Sequence, residues 1–222
     1  MRRLEGKIAL ITGATRGIGA AVAKALAAEG AHVVLVGRTV GALEEVDDAV
    51  RAAGSSATLV PLDLLEPEKI DQMAYALWQR FGRLDILIGN AGILGTLGPL
   101  GHLDPPLWDK VIAVNLTANW RLIRAFDPLL RLSEGGRALF TTCAIGREPT
   151  AYWSAYAVAK AGLEMMVATW GAELGLTKVK VGVIDPGPVR TGLRKSAFPG
   201  EDPADLKAPE DVAGGYVEAV AG

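Results

Sequence analysis

KIALITGATRGIG, residues 7–19, is the stretch on which the fold turns. Lys7 to Thr12 is a short apolar run that reads as a buried strand. Gly13, Gly17 and Gly19 follow with the spacing GxxxGxG, and Ile18 to Glu29 reads as an Ala-rich helix ended by Gly30. Glycine tolerates positive φ and lets a backbone come close to a pyrophosphate. The helix that follows points its free N–H groups and positive dipole end at such an anion. A glycine string alone is weak; lying between a strand and a helix, it has the context phosphate binding needs. Gly13, Thr15, Arg16, Gly17, Ile18 and Gly19 are therefore candidate cofactor contacts. The bland alternative is a tight turn without a ligand.

Outward from this turn, short apolar runs alternate with longer segments of helical period. Strands are predicted at His32 to Val36, Ala57 to Leu62, Leu84 to Ile88, Arg137 to Thr141 and Val179 to Ile184. Helices are predicted at Thr39 to Ala53, Pro67 to Phe81, Asp104 to Leu132 (one long stretch, with a kink at Pro128), Ser154 to Leu174 and Pro209 to Val220. Nearly continuous apolar strands alternating with helices imply a parallel sheet covered on both faces. Crossover handedness makes it α/β and doubly wound, a Rossmann-type single domain over residues 1–222. Residues 187–209, rich in Pro, Gly and charge, read as a long loop with room for a short helix, and long loops in compact domains are often lids.

Composition narrows the function classes. The 222 residues are 50% hydrophobic and 22% charged, with a formal net charge of -2, so no strong field invites nucleic acid or an anionic membrane. No apolar stretch reaches the roughly 18 residues of a membrane span, and the N-terminal run makes a poor signal peptide. Cys143 is the single cysteine, which rules out an intrachain disulfide and a Cys-rich zinc site and fits a reducing cytoplasm. His32 and His102 have no spaced metal partner and read as structural, so no metal is expected.

Two further patterns carry chemistry. NAD-binding folds usually place an acid at the tip of the second strand to hold the ribose 2′-OH. Here Arg38 stands there, with Arg16 inside the glycine turn, and two guanidinium groups suit a 2′-phosphate. NADP(H) is the expected cofactor; the alternative is two solvated arginines. Asp63, closing the third strand, is a candidate for the adenine amino group or, alternatively, a helix cap. Tyr156 and Lys160 form YxxxK on one helical face. A nearby ammonium favours phenolate and is expected to lower the tyrosine pKa, making it a general acid or base.

With these elements in order, the chain resembles the short-chain dehydrogenase/reductase family over almost its full length. The resemblance rests on TGATRGIG from Thr12, Asp63-Leu64, Asn90-Ala91-Gly92, Val114-Asn115, YAVAK from Tyr156 and DPGPVRT from Asp185. SAFPGEDPADLKAPED, from Ser196, is similar to a bacterial branch of oxidoreductases of unsettled substrate. The resemblance implies Tyr156 as proton donor or acceptor, Lys160 on the nicotinamide ribose and Asn115 holding a water in the proton relay. It further implies Leu64 beside Asp63, Asn90, Ala91 and Gly92 lining the cofactor cleft, and Pro186, Gly187, Val189 and Thr191 around the nicotinamide. It also implies helices that pair across a two-fold axis. Apolar Trp120, Phe126, Met165, Met166 and Trp170 then point to a homodimer or homotetramer.

Three departures stand out. Cys143 occupies the family's serine position, thirteen residues before Tyr156; a thiol is a weaker donor than a hydroxyl, and the alternatives are that it still sits beside a substrate oxygen or that Thr142 compensates. Gly89 replaces the first asparagine of the usual NNAG, which is expected to loosen one strand-end hydrogen bond. The family's last strand is expected to have no counterpart before Gly222, which would expose a sheet edge or change subunit assembly. The leading expectation is an oxidoreductase passing hydride between NADP(H) and a small-molecule carbonyl or alcohol. Its rival is a catalytically impaired nucleotide-binding regulator or scaffold, motivated by Cys143.

Overall fold

The computed structural model describes residues 2–222. Six strands form one parallel sheet: β1 (Ile8–Thr12), β2 (His32–Gly37), β3 (Ala57–Pro61), β4 (Ile86–Gly89), β5 (Arg137–Thr141) and β6 (Lys180–Ile184). Their order across the sheet is β3-β2-β1-β4-β5-β6, so the winding reverses between β1 and β4. Helices α1 (Gly17–Ala28), α2 (Val40–Ala52), α3 (Pro67–Phe81), α4 (Pro105–Ile112), α5 (Ala118–Arg131), α6 (Ser154–Glu173), α7 (Gly192–Ala197) and α8 (Pro209–Ala221) complete the chain. This is the doubly wound Rossmann-type architecture expected from the strand and helix pattern. β6 lies at one edge, and no seventh strand occurs among the described residues.

The strands are apolar along their length because each has two dry faces. Ala9, Ile11, Val33 and Leu35 face α1, α2 and α8, where Leu26, Leu43 and Tyr216 are fully buried. Leu10, Val34, Leu87 and Phe140 face the other way, onto Ile70, Phe126, Leu163 and Trp170 of α3, α5 and α6. Successive strand residues point to opposite faces, so each face takes every second side chain. Phe126 and Trp170 are thus spent on the sheet. Of the five side chains offered above for a subunit contact, Trp120 and Met165 are the clearly exposed ones.

One buried carboxylate pins the base of the sheet. Asp85 accepts hydrogen bonds from Ile8 N (2.9 Å), Ser133 Oγ (2.6 Å) and Arg83 Nε (3.2 Å). Burial alone would raise its pKa; these donors outweigh burial and hold the carboxyl below its usual value.

The predicted helix Asp104 to Leu132 is not uniform. α4 passes into a π turn at Ala113–Thr117 before α5 continues past Pro128 to Arg131. Such wide turns are often found at functional sites, and this one carries Asn115. Gly89 is closely packed. Added there, a Cβ would lie 2.2 Å from Phe140 Cδ1 on β5 and 2.9 Å from Asn119 Oδ1. The glycine makes room for an aromatic core residue. Gly89→Ala is therefore expected to destabilise the protein by about 1–3 kcal/mol through overpacking. Phe140→Leu in the same chain should recover part of that loss. Urea unfolding of the two single variants and the double variant checks this, and additive losses would contradict it.

Candidate active site

The glycine turn is built by close approach of two strand ends. Gly13 has φ +66°, and a Cβ on it would lie 2.9 Å from Ala91 Cα. A Cβ on Gly19 would lie 2.2 Å from Gly13 O. Thr12, fully buried, accepts from Asn90 N (3.0 Å) and Ala91 N (3.1 Å) at Oγ1 and donates to Ile88 O (3.4 Å). The Asn90 amide returns a bond to Thr12 O (3.1 Å) and accepts one from Thr141 Oγ1 (3.3 Å). No side chain caps the first turn of α1, so its N–H groups stay available to an anion.

A cleft of about 640 Å³ opens over the C-terminal ends of the strands. All the candidate residues from the sequence line it except Gly19 and Asn115. Gly19 sits behind the turn, where its missing side chain lets α1 close on Gly13. Asn115 is fully buried, and its amide clasps the backbone of Ile93, donating to its O and accepting from its N, both at 2.8 Å. The Asn115 carbonyl accepts from Asn119 Nδ2 at 2.8 Å. The Asn115 side chain thereby fixes the segment after β4.

At one end of the cleft Arg38 and Arg16 are exposed. Arg38 Nη1 stands 3.8 Å from Asp63 Oδ2. Asp63 Oδ1 accepts from Leu65 N (3.0 Å), a local turn, while α3 begins later, at Pro67. At the other end stand Tyr156, Lys160 and Cys143. Tyr156 is buried, and the Cys143 thiol points at its hydroxyl from 3.8 Å. Lys160 Nζ donates to Thr141 O at 2.7 Å and lies 5.8 Å from the centroid of the Tyr156 ring.

The expected depression of the Tyr156 pKa does not occur. Burial drives it well above its ordinary value, and the neighbouring Cys143 and Asp185 push the same way. Burial also lowers Lys160 to about 8, with Cys143 and Glu164 opposing the shift. Desolvation favours the neutral form of each group. Thr142 does not stand in for the missing serine. Its hydroxyl donates to Glu164 Oε1 at 2.6 Å.

Glu164 lies one turn beyond Lys160, and its carboxylate links three elements. It also accepts from Arg147 Nε at 3.0 Å; Arg147 in turn reaches Asp185 at 3.6 Å, and Asp185 Oδ1 accepts from Gly187 N at 2.9 Å. The strand end bearing Cys143, the helix bearing Tyr156 and the Pro186-Gly187 corner are thereby held in register. Sequence reading missed this chain of contacts, because Arg147 and Glu164, which join it, belong to no motif and lie on different segments. It also missed Phe198, whose ring lies 5.7 Å from that of Trp153.

Comparisons with known proteins agree with this geometry. A family model described as short chain dehydrogenase matches residues 7–202. The uncharacterized oxidoreductase YciK of Escherichia coli K12 is 38% identical over 212 residues, covering 94% of this chain and 84% of that one. A solved structure described as a short chain dehydrogenase from Pseudomonas syringae is 41% identical with a TM-score of 0.96, covering 99% of this chain and 90% of that one. Another, from Escherichia coli CFT073, is described as a short chain dehydrogenase complexed with NADPH. It is 37% identical with a TM-score of 0.95, covering 99% of this chain and 92% of that one.

The Lys160 shift has a sign that can be measured. Lysine titrates near 10.5 when unperturbed and near 8 here, so between these values the unfolded chain binds the extra proton. Stability at this position therefore rises with pH across that window, and below pH 8 the burial cost is fully present. Relative to Lys160→Met, the wild-type protein should gain about 3 kcal/mol as pH climbs through it. Parallel stability–pH curves from urea unfolding would contradict the assignment.

Proposed function

This chain belongs to the short-chain dehydrogenase family, and from that premise we propose that it is an NADP(H)-dependent oxidoreductase acting on a carbonyl or alcohol. The observation that carries the reading is one continuous cleft with Arg38 at one end and the Tyr156–Lys160 pair at the other. The residues fit the cofactor. The uncapped start of α1 and the close-packed glycines suit its pyrophosphate, while Arg16 and Arg38 suit a 2′-phosphate. The relative complexed with NADPH supports this choice. Asn90, Ala91 and Gly92 would line the middle, and Pro186, Gly187, Val189 and Thr191 the nicotinamide end, with Lys160 on the ribose hydroxyls. When bound, the cofactor supplies the hydride.

Tyr156 handles the proton. Its burial keeps the phenol protonated at neutral pH, so in the direction of carbonyl reduction it stands ready to give a proton to the oxygen. The Cys143 thiol, beside the same hydroxyl, is a weak second donor to that oxygen. Glu164, Arg147 and Asp185 act at a distance, keeping β5, α6 and the Gly187 corner aligned. Residues 187–209 close one side of the cleft as a substrate loop, and a reducing cytoplasm is the compartment the single cysteine fits.

Tyr156→Phe should abolish turnover while leaving NADPH affinity within about twofold, since a hydroxyl is lost and little else. Cys143→Ser should keep or raise the rate, because a hydroxyl is the better donor to a developing alkoxide. Arg38→Asp should reverse the preference for NADPH over NADH. Steady-state kinetics on a carbonyl panel, with cofactor binding measured alongside, checks all three. Undiminished turnover in Tyr156→Phe would sink the mechanism, and cofactor binding without turnover on any substrate would favour a regulator instead.

A further inference from the structure

The backbone around Trp153 is strained in a way that core packing does not require. Tyr152 has φ +73° and Ser154 φ +34°, and these are the non-glycine residues with positive φ among the described residues. Side chains other than glycine, asparagine and aspartate seldom adopt this conformation, and it persists only where surrounding contacts enforce it. The enforcing contacts come from Gly98. Its N donates to Tyr152 O at 2.9 Å, and its O accepts from Ser154 Oγ. The strained turn is thus gripped from both sides, and it presents the Trp153 indole 5.7 Å from the Tyr156 ring, tilted by 55°.

A second aromatic ring is brought to the same place from far along the chain. Phe198, just after α7, packs on Trp153 at 5.7 Å, tilted by 42°. The Arg194 guanidinium lies 3.8 Å over the Phe198 ring and is itself held by Glu201 through two bonds of 2.6 Å. This pair is about three-quarters buried, and its charges neutralise one another. The base of the loop is closed by a bridge between Val189 and Lys207. Phe198, Trp153 and Tyr156 therefore form one continuous aromatic wall inside the cleft, ending at the Tyr156 hydroxyl. Ile93, Ile145 and Leu193 add apolar lining.

We propose that Trp153 and Phe198 are specificity-determining residues, and that the substrate carries an aromatic ring next to its carbonyl group. This rests on the reading of Tyr156 as the proton-transfer residue, which fixes where the carbonyl oxygen sits. With the oxygen at Tyr156, the adjacent substituent lies against the tilted rings. Aromatic rings in offset or edge-to-face contact gain about two- to tenfold each beyond their burial. A flexible alkyl chain gains no such contact and loses rotational freedom on binding.

Acetophenone and methyl hexyl ketone have the same carbon count, and the linear ketone is the more hydrophobic of the two. Equilibrium dialysis against the protein saturated with NADP+ should show acetophenone binding about tenfold more tightly. Reduction with NADPH should show a similar ratio in kcat/KM. Phe198→Leu keeps apolar bulk at a half-exposed position but removes the ring, and should lower the ratio to about threefold; Trp153→Leu should lower it as well. Equal binding, preference for the linear ketone, binding of neither, or a ratio unchanged in both variants overturns the proposal. A ring preference in dialysis that both variants weaken sustains it even where neither ketone is reduced; the oxidoreductase reading then stands or falls on turnover across the wider carbonyl panel.

Discussion

The hydrogen bonds between Thr12 and Asn90 hold together the ends of β1 and β4, where the winding of the sheet reverses. At such a reversal the flanking connections leave in opposite directions and open a crevice. Both walls of the cleft start from this knot. On one side the chain runs through the glycine turn into α1; on the other it runs through Asn90, Ala91 and Gly92 to Ile93, which Asn115 clasps. Thr141 joins the knot through Asn90 and passes its carbonyl to Lys160. A single set of short polar contacts thereby couples the anion-binding end to the proton-transfer end. The small size of Gly13 and Gly19 lets the strands and α1 come close enough to form it.

Burial sets the chemistry of the two titrating groups. It pushes Tyr156 up and Lys160 down, so each is shifted toward neutrality. Lys160 keeps a partner in Thr141 O, which limits the cost of burying an ammonium. Among the described residues, the hydrogen-bond partner of the Tyr156 hydroxyl is a thiol, a poor acceptor and a poor donor. The result is a protonated phenol beside an apolar, aromatic wall. Glu164 stays ionised one turn away, because Thr142 and Arg147 both donate to it.

Much of this was legible in the sequence, for identifiable reasons. Short, nearly continuous apolar runs marked all six strands, because both faces of a parallel sheet are dry. The spacing of Gly13, Gly17 and Gly19, the arginine at the tip of β2 and YxxxK are local features, and local features survive translation into structure. What was missed depends on contacts between distant residues. Gly89 is explained by Phe140 on the next strand, and the commitment of Thr142 by Glu164 on α6. The fall of the Tyr156 pKa was expected from the position of Lys160 on a helix, but burial, which the sequence does not display, drives it up, with Cys143 and Asp185 adding to the rise. The π turn at Asn115 is hidden inside a helical pattern, and nothing around Phe198 announces that its ring meets Trp153.

The central claim is that this cleft passes a hydride between a bound nicotinamide and a carbonyl carbon while Tyr156 moves the proton. The most direct measurement is label transfer. NADPH deuterated at nicotinamide C4 is incubated with the protein and a panel of aldehydes and ketones, and the products are read by mass spectrometry. The account requires an alcohol carrying deuterium at the former carbonyl carbon, and none from Tyr156→Phe. Contradiction would be the absence of deuterated alcohol from every compound in the panel while NADPH demonstrably occupies the cleft.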